Sequence, residues 1–407
     1  MNEKKIGQKP IESIVFCWLF FQMTTNDFVY KLMPNFFIPS FVMAVMPVIA
    51  AWLCILFQLK NIFYIHGDAL IFIICVIFML ICALAGNDFL REIVFSSSFF
   101  MLITACIFVY TRSSNIHSLF TYINIICILS GLIVCIYALT FIGFDYSKME
   151  NSYMAIGYNL SLFSLILFEC YRINQKKVNL LFAIIFSLFI LIFGNRGAFI
   201  VLITYFIIKY IILQEHALTK KRIIFGFILV LIGIAFINFF EEIISFMSLT
   251  LKNIGISSRS FEKLLSNSFS QSEGRNEIYE VAFEIIRNNP IEVRGPGYLT
   301  TIYISKQYQH ANAHNILLEL LVEYGCIFGF ILFFIIIKKI IISIKSLKYN
   351  KNIENSISAC FLIQAIVQLS FSTTFYSSNE FWLGLVIIGI LSRREKLCQK
   401  FIHMHGI

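Results

Sequence analysis

Long apolar runs make up most of this sequence, and their length is what most constrains the fold. Each run has about 17–25 residues, enough for a helix to cross the hydrocarbon core of a bilayer. A soluble protein of 407 residues would need a polar shell, but 59% of the residues are hydrophobic and only 14% are charged. The sequence therefore predicts an all-α, polytopic transmembrane bundle. Its spans, about twelve in number, are expected at 12–30, 36–58, 69–86, 94–111, 118–142, 153–171, 178–194, 197–213, 223–240, 313–337, 356–373 and 379–392.

One long polar segment, 241–312, separates the ninth predicted span from the tenth. We therefore divide the chain into residues 1–240 with spans one to nine, a large loop over 241–312, and residues 313–407 with the last three spans. Within the loop, 270–273 reads as a capping box, and the residues that follow place apolar side chains at helical spacing. Pro290 ends this pattern, because the residue before a proline avoids the helical region. A short amphipathic helix is predicted there.

The lysines and arginines predict the orientation. With the N-terminus in the cytoplasm, 21 of the 32 basic residues fall on the cytoplasmic side, whereas the short outer loops carry only Lys31, Arg91, Lys148 and Arg196. The remainder lie in the long loop, which this rule counts poorly. The asymmetry predicts cytoplasmic termini and a large loop on the outer face. It also accounts for the net charge of +9, so a nucleic-acid partner has little support.

Metal and disulfide sites find little support in the sequence. The eleven cysteines are scattered without metal-type spacing, and none lies in the long loop. His310 and His314 are four residues apart, but no third ligand follows at a useful spacing. We expect no metal.

Three polar residues from distant parts of the chain are expected to emerge together on the outer face. Arg196 lies between two apolar spans and is flanked by glycines, so it must sit at the interface or face a wet cavity. Arg275 lies at the first turn of the predicted amphipathic helix, where free N–H groups favour anions. His314 begins the tenth span and can accept a proton near neutral pH. Two fixed cations and an imidazole at headgroup depth suit a lipid-linked diphosphate.

Other polar residues nearby complete the predicted site. Arg294, in a glycine-rich turn, and Asn315, beside His314, are candidates for substrate binding. Glu319 is a third candidate; it and Glu323 are four residues apart on the tenth span and should face the bundle interior or a watery cleft. Gln364 and Gln368 repeat that spacing on the eleventh span, where hydrogen bonding between helices is expected.

These motifs, in this order, resemble the O-antigen polymerase and ligase superfamily over about residues 180–340. The segments that carry the resemblance are Gly194-Asn195-Arg196-Gly197, Gly274-Arg275 with the run to Pro290, Gly295-Pro296-Gly297, and His314-Asn315 through Glu319 to Gly325. The resemblance implies a bacterial inner-membrane glycosyltransferase that acts on undecaprenyl-diphosphate-linked glycans at the periplasmic face. It also implies that Arg196 and Arg275 hold the diphosphate, that His314 activates the acceptor hydroxyl, and that no nucleotide sugar, metal or other cofactor is needed.

Two activities share this machinery. A polymerase moves the growing chain onto a new lipid-linked repeat unit, and a ligase moves the finished chain onto lipid A-core. We favour the polymerase and keep the ligase as the alternative. A flippase or transporter of lipid-linked sugars would share the apolar layout, but it would not need a long outer loop with His314. A chain-length regulator is a possible protein partner.

Overall fold

The computed structural model describes residues 10–32, 40–57, 67–112, 116–142, 152–193, 196–209, 249–250, 253, 275–308, 313–349 and 352–405. Within these ranges the regular structure is helical, with no strand, which confirms the all-α class. The helices, numbered here in chain order, are α1 (Pro10–Leu32), α2 (Ser40–Leu56), α3 (Gly67–Leu84), α4 (Asp88–Val94), α5 (Ser97–Thr111), α6 (Ile116–Leu119), α7 (Ile123–Tyr137, continued by a π-turn Ala138–Ile142), α8 (Ser152–Asn174), α9 (Lys177–Phe193), α10 (Arg196–Ile207), α11 (Arg275–Asn288), α12 (Tyr298–Ser305), α13 (Ile316–Tyr349), α14 (Ile353–Phe371) and α15 (Asn379–His405).

Four helical stretches of the described chain are long and apolar enough to cross a membrane: Ile116–Thr140, Met154–Asn174, Ile316–Lys345 and Ile353–Phe371. Helices α4 and α5 together make a fifth if they are counted as one span bent by 57°. Several shorter apolar helices accompany them. The predicted span at 223–240 lies outside the described residues, so a total of twelve spans stays a prediction.

The tenth predicted span differs from the structure in one respect. The sequence predicts an uninterrupted helix over 313–337, but α13 is broken at Gly325, where φ is 71° and ψ is 164°. The apolar pattern continues across this glycine, so hydropathy alone gives no sign of the break.

Contacts between helices define two ends of the bundle. We call the end at which α5, α8, α10, α13 and α15 begin the upper end, and the opposite end the lower end. Near the upper end, the hydroxyls of Tyr158 on α8 and Ser372 after α14 lie 2.5 Å apart. Deeper in the same pair of helices, Gln364 accepts a hydrogen bond from Ser161 and donates to the Tyr158 carbonyl, both at 2.8 Å. The predicted hydrogen bonding of Gln364 between helices is therefore confirmed.

A buried polar cluster at the lower end joins α8, α10 and α14. Glu169 has no exposed surface and pairs with Arg172 at 2.7 Å and with Lys209 at 2.9 Å. Tyr205 and Ser356 also donate to its carboxyl oxygens, at 2.6 and 2.9 Å. A buried carboxyl is stable only when such partners surround it. These contacts therefore fix the position of α10 along α8 and α14.

We expect Glu169→Ala to destabilise the protein by about 3 kcal/mol or more, because it leaves Arg172 and Lys209 without their shared buried partner. Thermal unfolding of the purified protein in detergent measures this change. Glu284→Ala, which removes an exposed carboxyl on α11, is the control and should shift stability by less than about 0.5 kcal/mol. Equal losses of stability from Glu169→Ala and Glu284→Ala would contradict a stabilising role for the buried Glu169 cluster.

Candidate functional site

The predicted amphipathic helix is present as α11, Arg275–Asn288. Its apolar face, formed by Ile278, Val281 and Ala282, is buried in a small cluster with residues of α12 and α13. Its acidic side chains are exposed. The helix ends two residues before Pro290, as the proline rule requires. The predicted capping box at 270–273 lies outside the described residues.

Helix α12 packs across α11 through a tyrosine. The Tyr303 hydroxyl donates a hydrogen bond of 2.9 Å to the Ile278 carbonyl in the first turn of α11. Burial raises the pKa of the Tyr303 phenol, so this hydroxyl keeps its proton as a donor. Ala313, directly before His314, is buried in the same cluster. The first turn of α11 and the residue before the histidine therefore share one packing unit.

The turn between α11 and α12 is held by the break in α13. A helix that breaks leaves backbone groups without their usual partners. Here the Glu323 carbonyl accepts from the backbone N–H groups of Arg294 and Gly295, both at 2.9 Å, and the Cys326 N–H donates to the Pro290 carbonyl at 2.7 Å. The glycine-rich turn thus satisfies the groups that the break at Gly325 exposes.

Arg294 is used to hold this turn. Its side chain is 5% exposed and pairs with Glu292 at 2.7 Å. It also donates to the carbonyls of Asn289 and Val322, at 3.0 and 3.3 Å. A cation at the carboxyl end of α11 complements the helix dipole. These contacts give Arg294 a structural task at the site, whereas its predicted contact with substrate stays a prediction.

Glu323 occupies the centre of the upper end. Its side chain has no exposed surface, as expected for a carboxyl that faces the bundle interior. One oxygen accepts from the Gly297 backbone N–H at 2.9 Å, and the other accepts from the Tyr376 hydroxyl. Gly297 is the N-cap of α12 and has no side chain to cap the helix, so the Glu323 carboxyl fills that role from α13.

Tyr376 is a residue of this site that no sequence pattern indicates. It lies in the short connection 372–378 between α14 and α15, and its side chain is fully buried. The only local signal is its place in a polar turn between two apolar helices. Its partner, Glu323, is 53 residues away in sequence, so no spacing rule points to the pair.

His314 and Asn315 form the entry to α13. Asn315 is the cap, because its side-chain oxygen accepts from the N–H groups of Leu317 and Leu318 at 3.1 and 3.2 Å. His314 has a left-handed backbone with φ of 50° and is half-buried. Such a conformation is uncommon outside glycine, and histidine is among the residues that tolerate it. Substrate binding by Asn315 stays a prediction.

The structure brings His314, Glu319 and Arg196 to the same end of the bundle. Glu319 lies one helical turn into α13 and is buried. Arg196 is the first residue of α10, which runs along α8 and α14 toward the lower end. Arg275 is the first residue of α11. The side chains of Arg196 and Arg275 lie outside the part of the chain that the structure describes, so their contacts with a diphosphate stay predictions.

An apolar groove of about 230 Å³ runs beside this site between α3, α13 and α15. Leu320 and Tyr324 line it on α13, next to the two buried carboxyl groups. Phe375, the neighbour of Tyr376, lines it as well. An apolar groove of this kind suits the apolar tail of a ligand.

Among the described residues, no group of three or more histidine, cysteine or acidic side chains is placed to hold a metal ion. His310 lies outside the described residues.

Residues 181–334, which include the predicted site, match a family described as O-Antigen ligase. No curated protein and no solved structure matches the chain significantly. The matched segment contains most of α9, all of α10, α11 and α12, and the first half of α13. It therefore covers each of the elements from which the predicted site residues come, and this part of the chain is similar to the O-antigen ligase family.

Proposed function

We propose, on the basis of the O-antigen ligase match over residues 181–334, that this membrane protein is a polysaccharide polymerase. In this proposal it joins undecaprenyl-diphosphate-linked repeat units at the periplasmic face of the bacterial inner membrane. The observation that carries it is that the family match spans Arg196, Arg275 and His314, while the structure brings the first residue of α10 and the entry of α13 to one end of the bundle.

The proposed reaction needs a clamped leaving group and an activated acceptor. Arg196 and Arg275 hold the diphosphate of the donor, because guanidinium groups bind such oxygens bidentately and stay charged. His314 takes the proton from the acceptor hydroxyl as that oxygen attacks the anomeric carbon of the donor glycan. The bond from that carbon to the diphosphate then breaks, and undecaprenyl diphosphate leaves.

The surroundings of the site support a lipid-linked donor. The apolar groove beside Leu320 and Tyr324 is suited to isoprene units near the headgroup. Glu323, Gly297 and Tyr376 form a hydrogen-bonded polar cluster near the beginning of α13. The chain would then be a multi-pass protein of the inner membrane with cytoplasmic termini and residues 241–312 on the periplasmic side. Its substrates would include the bilayer-borne glycan, and a chain-length regulator is a proposed partner.

The ligase is the second candidate, because the matched family carries that description. A strain that lacks the gene separates the two activities. Lipid A-core that carries a single repeat unit indicates a polymerase, whereas complete loss of capped lipid A-core indicates a ligase. Complementation with the wild-type gene must restore the full length distribution of the glycan in either case.

We expect Arg275→Lys to lower glycan transfer by about tenfold or more, because lysine keeps the charge but loses the two-pronged contact. The length distribution of the glycan in complemented cells measures this. Arg287→Lys, at an exposed position of the same helix, is the control and should leave the distribution unchanged. Full activity of Arg275→Lys would mean that charge alone suffices.

A further inference from the structure

A second, polar cavity opens at the upper end of the bundle, beside the beginning of α15. Its volume is about 350 Å³, within the range of small-molecule pockets. It lies between α1, α5, α8 and α15. The side chains that line it and bear on the argument are Gln22, Asn26, Asp27, Lys31, Asn159 and Asn379.

Gln22 supplies a polar group that the fold leaves unused. Its side chain is 3% exposed, it lines the cavity, and its amide oxygen has no hydrogen-bond partner among the described residues. Leaving a buried acceptor unsatisfied costs about 1–3 kcal/mol. This oxygen has almost no surface toward the cavity, so the side chain must rotate before a ligand hydroxyl or amide there can supply the missing donor.

The chemistry of the lining favours a sugar over an anion. Amide side chains both donate and accept hydrogen bonds, which matches hydroxyl groups that do the same. The one acidic residue, Asp27, and the one basic residue, Lys31, offset each other, so the cavity has no excess of positive charge to attract a phosphate. Phe28 and Met101 add apolar surface for the C–H faces of a ring.

Hydrogen bonds connect this cavity to the proposed reaction site. Asn159 in the wall donates to the Thr24 carbonyl at 2.7 Å, which fixes α8 against α1. Its neighbour Tyr158 contacts Ser372, at the start of the connection that holds Tyr376. Asn379, on the other side of that connection, lines the cavity directly. The 372–378 connection therefore contains the partner of Glu323, Tyr376, and leads directly into Asn379 in the cavity wall.

We propose that this cavity binds a saccharide unit of the lipid-linked glycan while its diphosphate lies at the arginine and histidine site. The proposal rests on the proposed function and extends it with a glycan subsite formed by α1, α5, α8 and α15. The Gln22 amide is its central hydrogen-bonding group, and Asn26 and Asn379 contact the sugar beside it.

The test compares two probes on the full-length protein in nanodiscs: the lipid-linked repeat unit that accumulates in the deletion strain, and undecaprenyl diphosphate without sugar. We expect Gln22→Met to weaken binding of the first by about threefold to tenfold, the worth of one neutral hydrogen bond, and to leave binding of the second unchanged. Asn26→Ala should act in the same way and serves if Gln22→Met fails to fold. Gln368→Met is the matched control, because Gln368 also has a buried amide oxygen without a partner in the described chain but does not line the cavity.

Unchanged binding of the glycan-bearing probe, or equal weakening of both probes, would overturn the glycan subsite. Wild-type protein that binds both probes equally would overturn it too. Glycan transfer by the wild-type gene in the complemented strain is scored separately. If transfer occurs and binding is insensitive to Gln22→Met, the subsite is wrong and the proposed function stands. If the wild-type gene restores no glycan, the proposed function itself is wrong.

Discussion

Replacement of His314 by asparagine is expected to abolish long-chain glycan while leaving the protein in the membrane. Asparagine tolerates the left-handed backbone that His314 adopts, so the entry to α13 should keep its shape. It cannot take a proton from an acceptor hydroxyl. A general base contributes about 10²–10⁴-fold to a rate, and we expect a loss of that size. Glycan length in complemented cells, together with the amount of protein in the membrane fraction, is the measurement.

Gln307 provides the matched control for His314. It also has a left-handed backbone, with φ of 57°, and it is exposed near the end of α12. Gln307→Asn should therefore leave the glycan unchanged. His314→Ala should fail as His314→Asn does, with a further loss of stability because alanine tolerates the left-handed region less well. A wild-type length distribution from His314→Asn would remove the histidine from the proposed reaction.

Gly325→Ala is expected to destabilise the upper end of the bundle by several kcal/mol and to abolish glycan formation with it. The φ of 71° costs about 1–3 kcal/mol for a residue with a side chain. A Cβ atom at this position would lie 2.7 Å from the Ile291 carbonyl oxygen, and such overpacking costs about 1–3 kcal/mol more. The turn before α12 must then move away from α13. Thermal unfolding of purified protein measures the loss.

Gly86→Ala separates the two causes of that loss. Gly86 also has a positive φ, of 106°, but nothing lies within 4 Å of where its Cβ would be. It should carry the backbone cost alone and show a smaller drop in Tm than Gly325→Ala. If the two variants unfold at the same temperature, the clash with the Ile291 carbonyl does not add to the loss of stability at Gly325.

Much of the local structure follows from the sequence for simple reasons. Apolar runs predict membrane-length helices, and four such stretches are present in the described chain. The alternation of apolar and charged residues before Pro290 predicts an amphipathic helix, and α11 is there. Burial of Glu323 was expected because a carboxyl within an apolar span avoids lipid. Each of these features depends on residues within one helix.

The arrangement around the predicted site could not be read in the same way. Arg294 is a predicted substrate contact because it is a cation in a polar loop. Its described partners, Glu292 and carbonyls at the end of α11 and in α13, come from the fold and carry no sequence signal. The Gln22 cavity was missed because its lining residues come from four helices far apart in sequence. The residues that line the cavity carry no spacing pattern that predicts a binding site.

What the sequence by itself determined is the class of the protein: a helical membrane chain whose one long polar segment carries an amphipathic helix. Periodicity and length are properties of a single segment, so they can be read without the fold. What only the tertiary structure decided is which buried polar groups of the described chain have a hydrogen-bond partner and which do not. The break at Gly325, the Glu323–Tyr376 contact and the cavity at Gln22 arise from neighbours that are distant in sequence. A hydrogen bond depends on where its two partners lie in space, and the local pattern of residues carries no record of that position.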